Sequence, residues 1–409
     1  MSAAVESFTP PARPGPMRWL KRNLFSSWLN TLLTIASVAF ILVAGLALGR
    51  WILVVADWSP VVENLRLYAV GPYPAEQMWR VWVIVAMVSF LAGVSGGRWG
   101  GIARTFALAL AVAYGLLAIL PISLEYLPLA SRLRLAGNIL AVGLGFLLGR
   151  RLAIKGYQLA LAWAISFLLT LLLLGGMRNA ALAPYLPLVE SGRWGGLLLT
   201  FLLAIVGIVA SFPIGVLLAL GRQSSLPVVK ALCVVFIETV RGVPLVTLLF
   251  MTSILLPLFL PPEMRIDRVL RAVLGMTLFA AAYMAENVRG GLQSIPSGQV
   301  EAAKAMGLNG WQTMLLIVLP QALRVVIPAI VGQFIALFMD TTLAVVVGLL
   351  ELLAIGRAII NSNPQWLLLD KEVFGFIALV FWVFTFAMAY ASRRVEAAVG
   401  AGQEVRRET

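Results

Sequence analysis

Gln299-Val300-Glu301-Ala302-Ala303-Lys304-Ala305-Met306-Gly307-Leu308-Asn309-Gly310-Trp311-Gln312, continuing to Ile317-Val318-Leu319-Pro320, is a polar interruption between two apolar runs. Its chemistry spells a helix, a glycine stop and a second helix. Ser297 is placed to N-cap the first helix, Glu301 to lie in its first turn where the helix dipole favours an anion, and Gly307 to take the left-handed C′ position. Asn309, followed three residues later by Gln312, reads as a capping box for the second helix. Pro320 and Pro328 restrict how the chain re-enters the next apolar run. A short amphipathic helix pair of this kind is either a surface that another protein grips or an ordinary interfacial loop.

The runs on either side, at roughly 270–290 and 325–348, are long enough to cross a bilayer, which takes roughly 20 mostly apolar residues. Further runs of this kind lie at roughly 30–49, 80–97, 105–121, 136–149, 159–176, 197–220, 232–260 and 373–391, ten in all to within about one. Within 232–260, the part before Arg241 is expected to lie partly in the interface. The 409 residues are 61% hydrophobic and 12% charged, with a mean hydropathy of +0.96. Soluble domains carry about 25% charged residues, so a soluble fold has no way to cover this much apolar surface. The predicted fold class is an all-α integral membrane protein.

A net charge of +13 invites a nucleic-acid reading, but the basic residues sit singly or in pairs at the ends of apolar runs, as membrane-flanking Lys and Arg do. The sequence holds one cysteine, Cys233, and no histidine, which excludes an internal disulfide, Cys and His metal clusters, and histidine-based catalysis. No G-x-x-x-x-G-K-[ST] motif is present, so no P-loop of its own binds ATP. The N-terminal 1–30, with Pro10, Pro11, Pro14 and Pro16 among Arg13, Arg18, Lys21 and Arg22, imitates a signal peptide, but the apolar run after it is too long for an h-region. It reads as a cytoplasmic tail.

Arg98, Arg104, Arg150, Arg151, Lys155, Arg222, Lys230, Arg289, Lys304, Arg324, Arg393, Arg394, Arg406 and Arg407 join the N-terminal basic residues on one side of the predicted topology. The other side mixes Arg and Lys with half of the chain's 18 acids: Asp57, Glu63, Glu76, Glu125, Glu190, Glu263, Asp267, Asp370 and Glu372. The bias puts both termini in the cytoplasm. A Pro- and Gly-bearing loop at 177–195 separates about five helices at 31–177 from a second half at 190–395, with a tail at 396–409. Gly45/Gly49, Gly93/Gly97 and Gly145/Gly149 in the first half have the small-x-x-x-small spacing of close helix packing. The second half holds nearly everything that looks like chemistry: Pro213 within a span, Glu238 and Arg241 beside Pro244, Glu286 and Arg289, and Asp340.

Glu301-Ala302-Ala303, Gly307 four residues on, then Ile317 and Leu319-Pro320, resembles the E-A-A…G…I-x-L-P signature of ABC importer permeases. Glu238-Thr239-Val240-Arg241-Gly242-Val243-Pro244-Leu245, Ala282-Tyr283-Met284-Ala285-Glu286-Asn287-Val288-Arg289-Gly290-Gly291 and Asp340-Thr341-Thr342-Leu343 are similar to the polar amino-acid branch of that family. The resemblance covers roughly 190–395, and the additional N-terminal helices resemble those of the long permease subunits of general L-amino-acid importers. Relatives often carry Lys where this chain has Met339, and Ser where it has Thr342, so a closely matched specificity does not carry over.

The resemblance implies a type I importer core whose loop 297–320 is a coupling helix seated in a separate ATPase subunit, Glu301 docking and capping, Gly307 making the turn. It implies an ATPase dimer that carries the ATP and Mg, no cofactor in this chain, a second homologous permease, a periplasmic amino-acid-binding protein, and a bacterial inner-membrane location surrounded by lipid. Asp340, Thr341 and Thr342 are candidates for a substrate ammonium; a helix–helix bond or a contact with the second permease serves Asp340 equally. Charges inside spans are costly, so Glu286 faces a substrate path or pairs with Arg289 three residues on. Glu238 and Arg241 stand in the same relation. Tyr283 stacks on substrate or fills a helix interface.

Two other readings exist. A secondary transporter of two five-helix inverted repeats interrupts helices at matching positions of both halves; here Pro213 breaks the sixth span while the first has no proline, and nothing in the first half echoes the loop at 297–320. A membrane scaffold or sensor that borrowed a permease core is suggested by the additional N-terminal helices alone.

Overall fold

The computed structural model describes residues 15–177, 184–261, 263–264 and 266–407, with side chains described to residue 397. Pro10, Pro11, Arg13, Pro14 and the side chains of Arg406 and Arg407 lie outside the described residues, as does 178–183 of the loop read as a divide. Contacts separate two units, Met1–Trp58 and Ser59–Thr409. The first holds a short helix α1 (Pro16–Asn23), an elbow at 24–27, and α2 (Trp28–Arg50). A π turn at Trp51–Val55 lengthens α2. Ser27 caps α2 by accepting from Asn30 N at 3.2 Å.

In the second unit the long helices are α3 (Met78–Trp99), α4 (Gly101–Ile119), α5 (Leu129–Arg151), α6 (Gly156–Gly175) and α7 (Gly196–Arg222). A bent pair comes next, α8 (Pro227–Gly242) and α9 (Leu245–Phe250), and then α10 (Arg268–Gln293), the loop helix α11 (Ser297–Ala305), α12 (Leu319–Asp340), α13 (Leu352–Ser362) and α14 (Asp370–Arg407). Among the described residues nine helices are long and apolar enough to cross a membrane, or ten if the bent pair is one span. The only extended pairing among them is an isolated bridge between Gly196 and Glu351. The fold is all-α, as composition demands.

Two of the three glycine pairs meet each other. A Cβ on Gly93 would strike the Val142 carbonyl, one on Gly97 the Phe146 carbonyl, one on Gly145 that of Phe90, and one on Gly149 that of Val94. The backbones of α3 and α5 therefore touch along a seam, the contact available to helices that gain no hydrophobic driving force from lipid. Within their own unit, a Cβ on Gly45 or Gly49 would meet no described residue within 4 Å. Buried Arg80 ties the start of α3 to the end of α6, donating to the carbonyls of Leu173 at 3.3 Å and Pro187 at 2.8 Å. The Tyr73 hydroxyl donates to Leu174 O at 3.1 Å. The bonds to Leu173 and Leu174 satisfy carbonyls at the end of α6 that lack an intrahelical partner, and the bond to Pro187 ties in the loop that follows.

Prolines cost the fold less than the sequence suggests. α7 runs unbroken through Pro213, so this residue does not interrupt the sixth span. The chain from Gly310 to Val347 is likewise one span of 38 residues. It contains a π turn at Thr313–Val318, then α12 with Pro320 in its first turn, then a 3-10 segment at Thr341–Val347. The wider π turn leaves room for the Pro320 ring, and α12 runs on through Pro328, each proline giving up one backbone bond without ending the helix. Re-entry is continuous rather than restricted.

At the end of α7 far from the loop, Gly196 N donates to Leu350 O at 2.8 Å and Leu352 N donates to Thr200 Oγ1 at 3.2 Å. Between them the Glu351 carboxylate, completely buried, caps α13 by accepting from Leu353 N at 2.7 Å and Ala354 N at 2.8 Å. Burial outweighs those bonds and pushes this carboxyl up to about 7. Backbone also meets backbone here, since a Cβ on Gly71 would strike Gly195.

Candidate functional site at the loop end of the bundle

The loop is built almost as its residues dictate. Gly307 has φ 79°, Leu308 N donates to Ala303 O at 3.1 Å and Gly307 N to Lys304 O at 2.9 Å. This pair of bonds is a Schellman stop, which needs a left-handed residue at the position Gly307 holds. The capping box forms both ways: Gln312 N donates to Asn309 Oδ1 at 2.8 Å and Asn309 N to Gln312 Oε1 at 3.0 Å. The start differs from expectation. Pro296, at φ −60° and ψ 139°, is the N-cap, Ser297 is the first helical residue and caps nothing, and Glu301 consequently sits in the second turn. Proline's fixed φ already has the value that launches a helix, so the helix begins one residue early.

The signature residues divide between two surfaces. Ala303 is buried and Ile317 and Leu319 are partly buried, while Glu301, Ala302, Gly307 and Pro320 are exposed. Val300, Met314 and Leu319 pack with Val318 and Ala322 of the span and with Met284, Ala285 and Val288 of α10. A Cβ on Gly291 would lie 2.7 Å from Ala322 O, so α10 and α12 are in backbone contact just above the loop. Facing away from this packing, Met306 is 71% exposed and Trp311 66%.

Beside the loop, three arginines meet two glutamates. Glu286, whose side chain is only 14% exposed, accepts from Arg222 Nη1 at 2.8 Å and Arg289 Nη2 at 2.8 Å and pairs with Arg241 at 3.6 Å. Arg222 also reaches Glu238 at 2.8 Å. The expected Glu286–Arg289 pair is present. Glu238 and Arg241, however, do not pair with each other; each turns to another helix. The reason is the course of α8. Glu238 lies eleven residues beyond Pro227, roughly 16 Å of helix, yet still touches the last residue of α7. Helix α8 thus lies across the end of α7 and turns through 108° before α9, as the interfacial reading of this segment anticipates. Arg241 sits over the Tyr283 ring, 5.4 Å from its centroid, and Phe279 flanks that ring at 4.8 Å. Tyr283 therefore fills a helix interface within this cluster.

Asp340 is elsewhere. Gly291 is level with Ala322 on antiparallel helices, which puts Asp340 level with about residue 273 and roughly 20 Å from Glu286 along the bundle. Leu337 and Ala344 do pack with Val269, Val273 and Met276. Thr341 and Thr342 donate to Phe338 O at 2.7 Å and Met339 O at 2.9 Å, closing the last turn of α12. Asp340, half-buried, has no hydrogen-bond or ion-pair partner among the described residues. The candidates for the substrate path are not one constellation: Glu286 and Tyr283 belong to the loop end, and Asp340 with its threonines to the far half of its span.

The family model for the binding-protein-dependent transport system inner membrane component matches residues 211–400, which contain the loop and all five charges of the cluster. The inner membrane amino-acid ABC transporter permease protein YhdY of Escherichia coli K12 is 36% identical over 403 residues, 95% of this chain and 94% of that protein. The chain belongs to this permease family. The glutamate/glutamine/aspartate/asparagine transport system permease protein BztC of Rhodobacter capsulatus is 37% identical, over 95% of this chain and 94% of that protein. The probable glutamine ABC transporter permease protein GlnP of Bacillus subtilis is 37% identical over 50% of this chain and 91% of its own length. The permease is a multi-pass inner-membrane component that works with an ATPase and a binding protein. From sequence, Arg222 is no more than a topological marker, and Met306 and Trp311 pass unnoticed. Two large apolar side chains beside a glycine stop in a polar loop were the available signal.

Proposed function

We propose that this chain is the membrane-spanning permease subunit of an ATP-driven amino-acid importer. The segment 190–395 forms the translocation path together with a second, homologous permease, and the helices at 31–177 are an addition to that core. A dimer of separate ATPases, which carries the ATP and Mg, grips the loop 297–320, and a periplasmic amino-acid-binding protein delivers solute. Both termini face the cytoplasm, in keeping with the basic residues at the loop end. The amino-acid class rests on the names of the relatives aligned over nearly the whole chain.

One observation supports the coupling role above others. The loop is rigid at its turn, rests on α10 and α12, and presents Glu301, Met306 and Trp311 outward. A push on α11 passes through Ala303, Val300 and Met314 into the π turn, and on to α10 where Ala322 meets Gly291. The cluster around Glu286 holds α7, α8 and α10 together at that end while the path is closed there. Asp340, a carboxylate without a partner inside a span, supplies a contact for a substrate ammonium; leaving it unpaired costs roughly 2.5–3.5 kcal/mol, which a bound cation offsets.

The test is import by the reconstituted complex. Changing Glu301→Ala and Gly307→Val together lowers ATP-dependent uptake at least about 100-fold, the loss that removal of some 3 kcal/mol of coupling contacts produces, while the subunit still inserts and the complex still binds solute. Normal uptake by that double variant sinks the proposal. Uptake that tracks a proton or sodium gradient and ignores ATP establishes the secondary-transporter reading instead.

A further inference from the structure

The short helix α1 has no use in the transport scheme. On its axis, at 100° per residue, Pro16, Trp19 and Leu20 fall on one side and Arg18, Lys21 and Arg22 on the other. All are exposed. This is an apolar face opposite a basic face, with no acid between Met17 and Ser27.

The elbow between α1 and α2 fixes the depth of α1. The Thr34 hydroxyl, six residues into α2, donates to Leu24 O at 2.9 Å. Asn30 Nδ2 donates to Ser26 Oγ at 2.7 Å, Ser27 caps α2, and Asn23 Nδ2 returns to Trp19 O at 2.9 Å. The elbow is therefore a folded structure that carries the chain back alongside the second turn of the span, roughly 9 Å from its first residue. Amphipathic helices that lie in a membrane surface sit roughly 5–10 Å into the headgroup boundary, and a span that begins at Trp28 places the C-terminal end of α1 at that level. Trp28, 80% exposed at the start of α2, stands where interfacial aromatics collect.

We propose that residues 16–25 form an in-plane anchor that recognises anionic phospholipid. Trp19, Leu20 and Phe25 enter the acyl boundary, and Arg18, Lys21 and Arg22 lie among the phosphates. Zwitterionic lipid satisfies the apolar face and leaves the basic face without a complement. Each basic residue near an anionic surface favours binding by about 1 kcal/mol, roughly fivefold, so three favour it on the order of 100-fold.

The experiment uses the full chain in nanodiscs, with Cys233→Ser and Leu20→Cys carrying an environment-sensitive fluorophore. In discs of phosphatidylcholine mixed equally with phosphatidylglycerol, the emission shifts to the blue and acrylamide quenching falls. In phosphatidylcholine alone, or in strong salt, both changes shrink. The triple change Arg18→Gln, Lys21→Gln and Arg22→Gln, all exposed side chains, removes the dependence on phosphatidylglycerol. The same fluorophore placed at Leu53→Cys in the first span checks that the triple variant is inserted as before. Equal protection in both lipids, protection that survives the triple change, or protection that arises only when the ATPase is added overturns the proposal.

Discussion

The α3–α5 seam and the cluster around Glu286 hold helices together by opposite means. Along the seam side chains are absent, and four glycines let carbonyls approach where a Cβ would collide. In the cluster, long charged side chains from α7, α8 and α10 converge on one carboxylate. A seam of backbone contacts is fixed by volume and has one good register. Ion pairs reach across several ångströms and survive small shifts, with partners exchanged rather than lost. The seam suits a part that stays as it is, and the cluster suits the end where helices move against one another.

The largest effect that distinguishes the two comes from Glu286→Ala. It strips three arginines of their shared acceptor, and removing one partner of a buried ionic network typically costs about 3–5 kcal/mol. Partial exposure of the arginines places the expectation near the lower value, read as a loss of thermal stability of the purified subunit in detergent. Glu238→Ala, whose side chain is 53% exposed, costs less than about 1 kcal/mol. If the two changes are equally mild, the cluster is not organised around Glu286 and the contrast with the seam disappears.

Glu351 offers a third kind of fastening, a buried carboxylate held by backbone N–H groups, with no ion pair among the described residues and Arg357 acting on it only through space. Its carboxyl is raised from 4.5 to about 7 by burial. The folded protein therefore holds a proton there that the unfolded chain has released, and stability falls as pH rises between those two values. Melting temperature measured across this window declines more steeply in the native protein than in Glu351→Gln. Parallel curves show that the carboxylate is ionised at no cost, and that backbone donors replace arginines fully.

How much the sequence disclosed depends on how local each interaction is. The Schellman stop and the Asn309–Gln312 box involve residues three to five apart and were legible. So was the Glu286–Arg289 pair, one turn along a helix. Arg222 was not, because its partners are 16 and 64 positions away and meet it only because α8 lies across α7. Ser297 looked like a cap, and the proline before it took the position. Glu351 reads as any loop acid; it is buried beside a contact in which Leu352 N donates to Thr200 Oγ1, 152 positions distant. Helix α1 was hidden by the prolines and charges around it, which read as a tail.

Glycine spacing was legible without its consequence, and the smallest predicted effects address that gap. Gly93→Ala puts a methyl group against the Val142 carbonyl, neither of which can rotate away. Overpacking of this sort costs about 1–3 kcal/mol, visible as a lower melting temperature of the subunit. Gly45→Ala has the same spacing to its partner glycine and the same helical setting, but open space around it. Alanine is the better helix former by up to about 1 kcal/mol, so this change is neutral or slightly stabilising. The pair of measurements separates a packing glycine from a spacing that only looks like one. Should Gly45→Ala destabilise as Gly93→Ala does, α2 has a close helix neighbour in the assembled transporter, and the first span is fastened by a seam of its own.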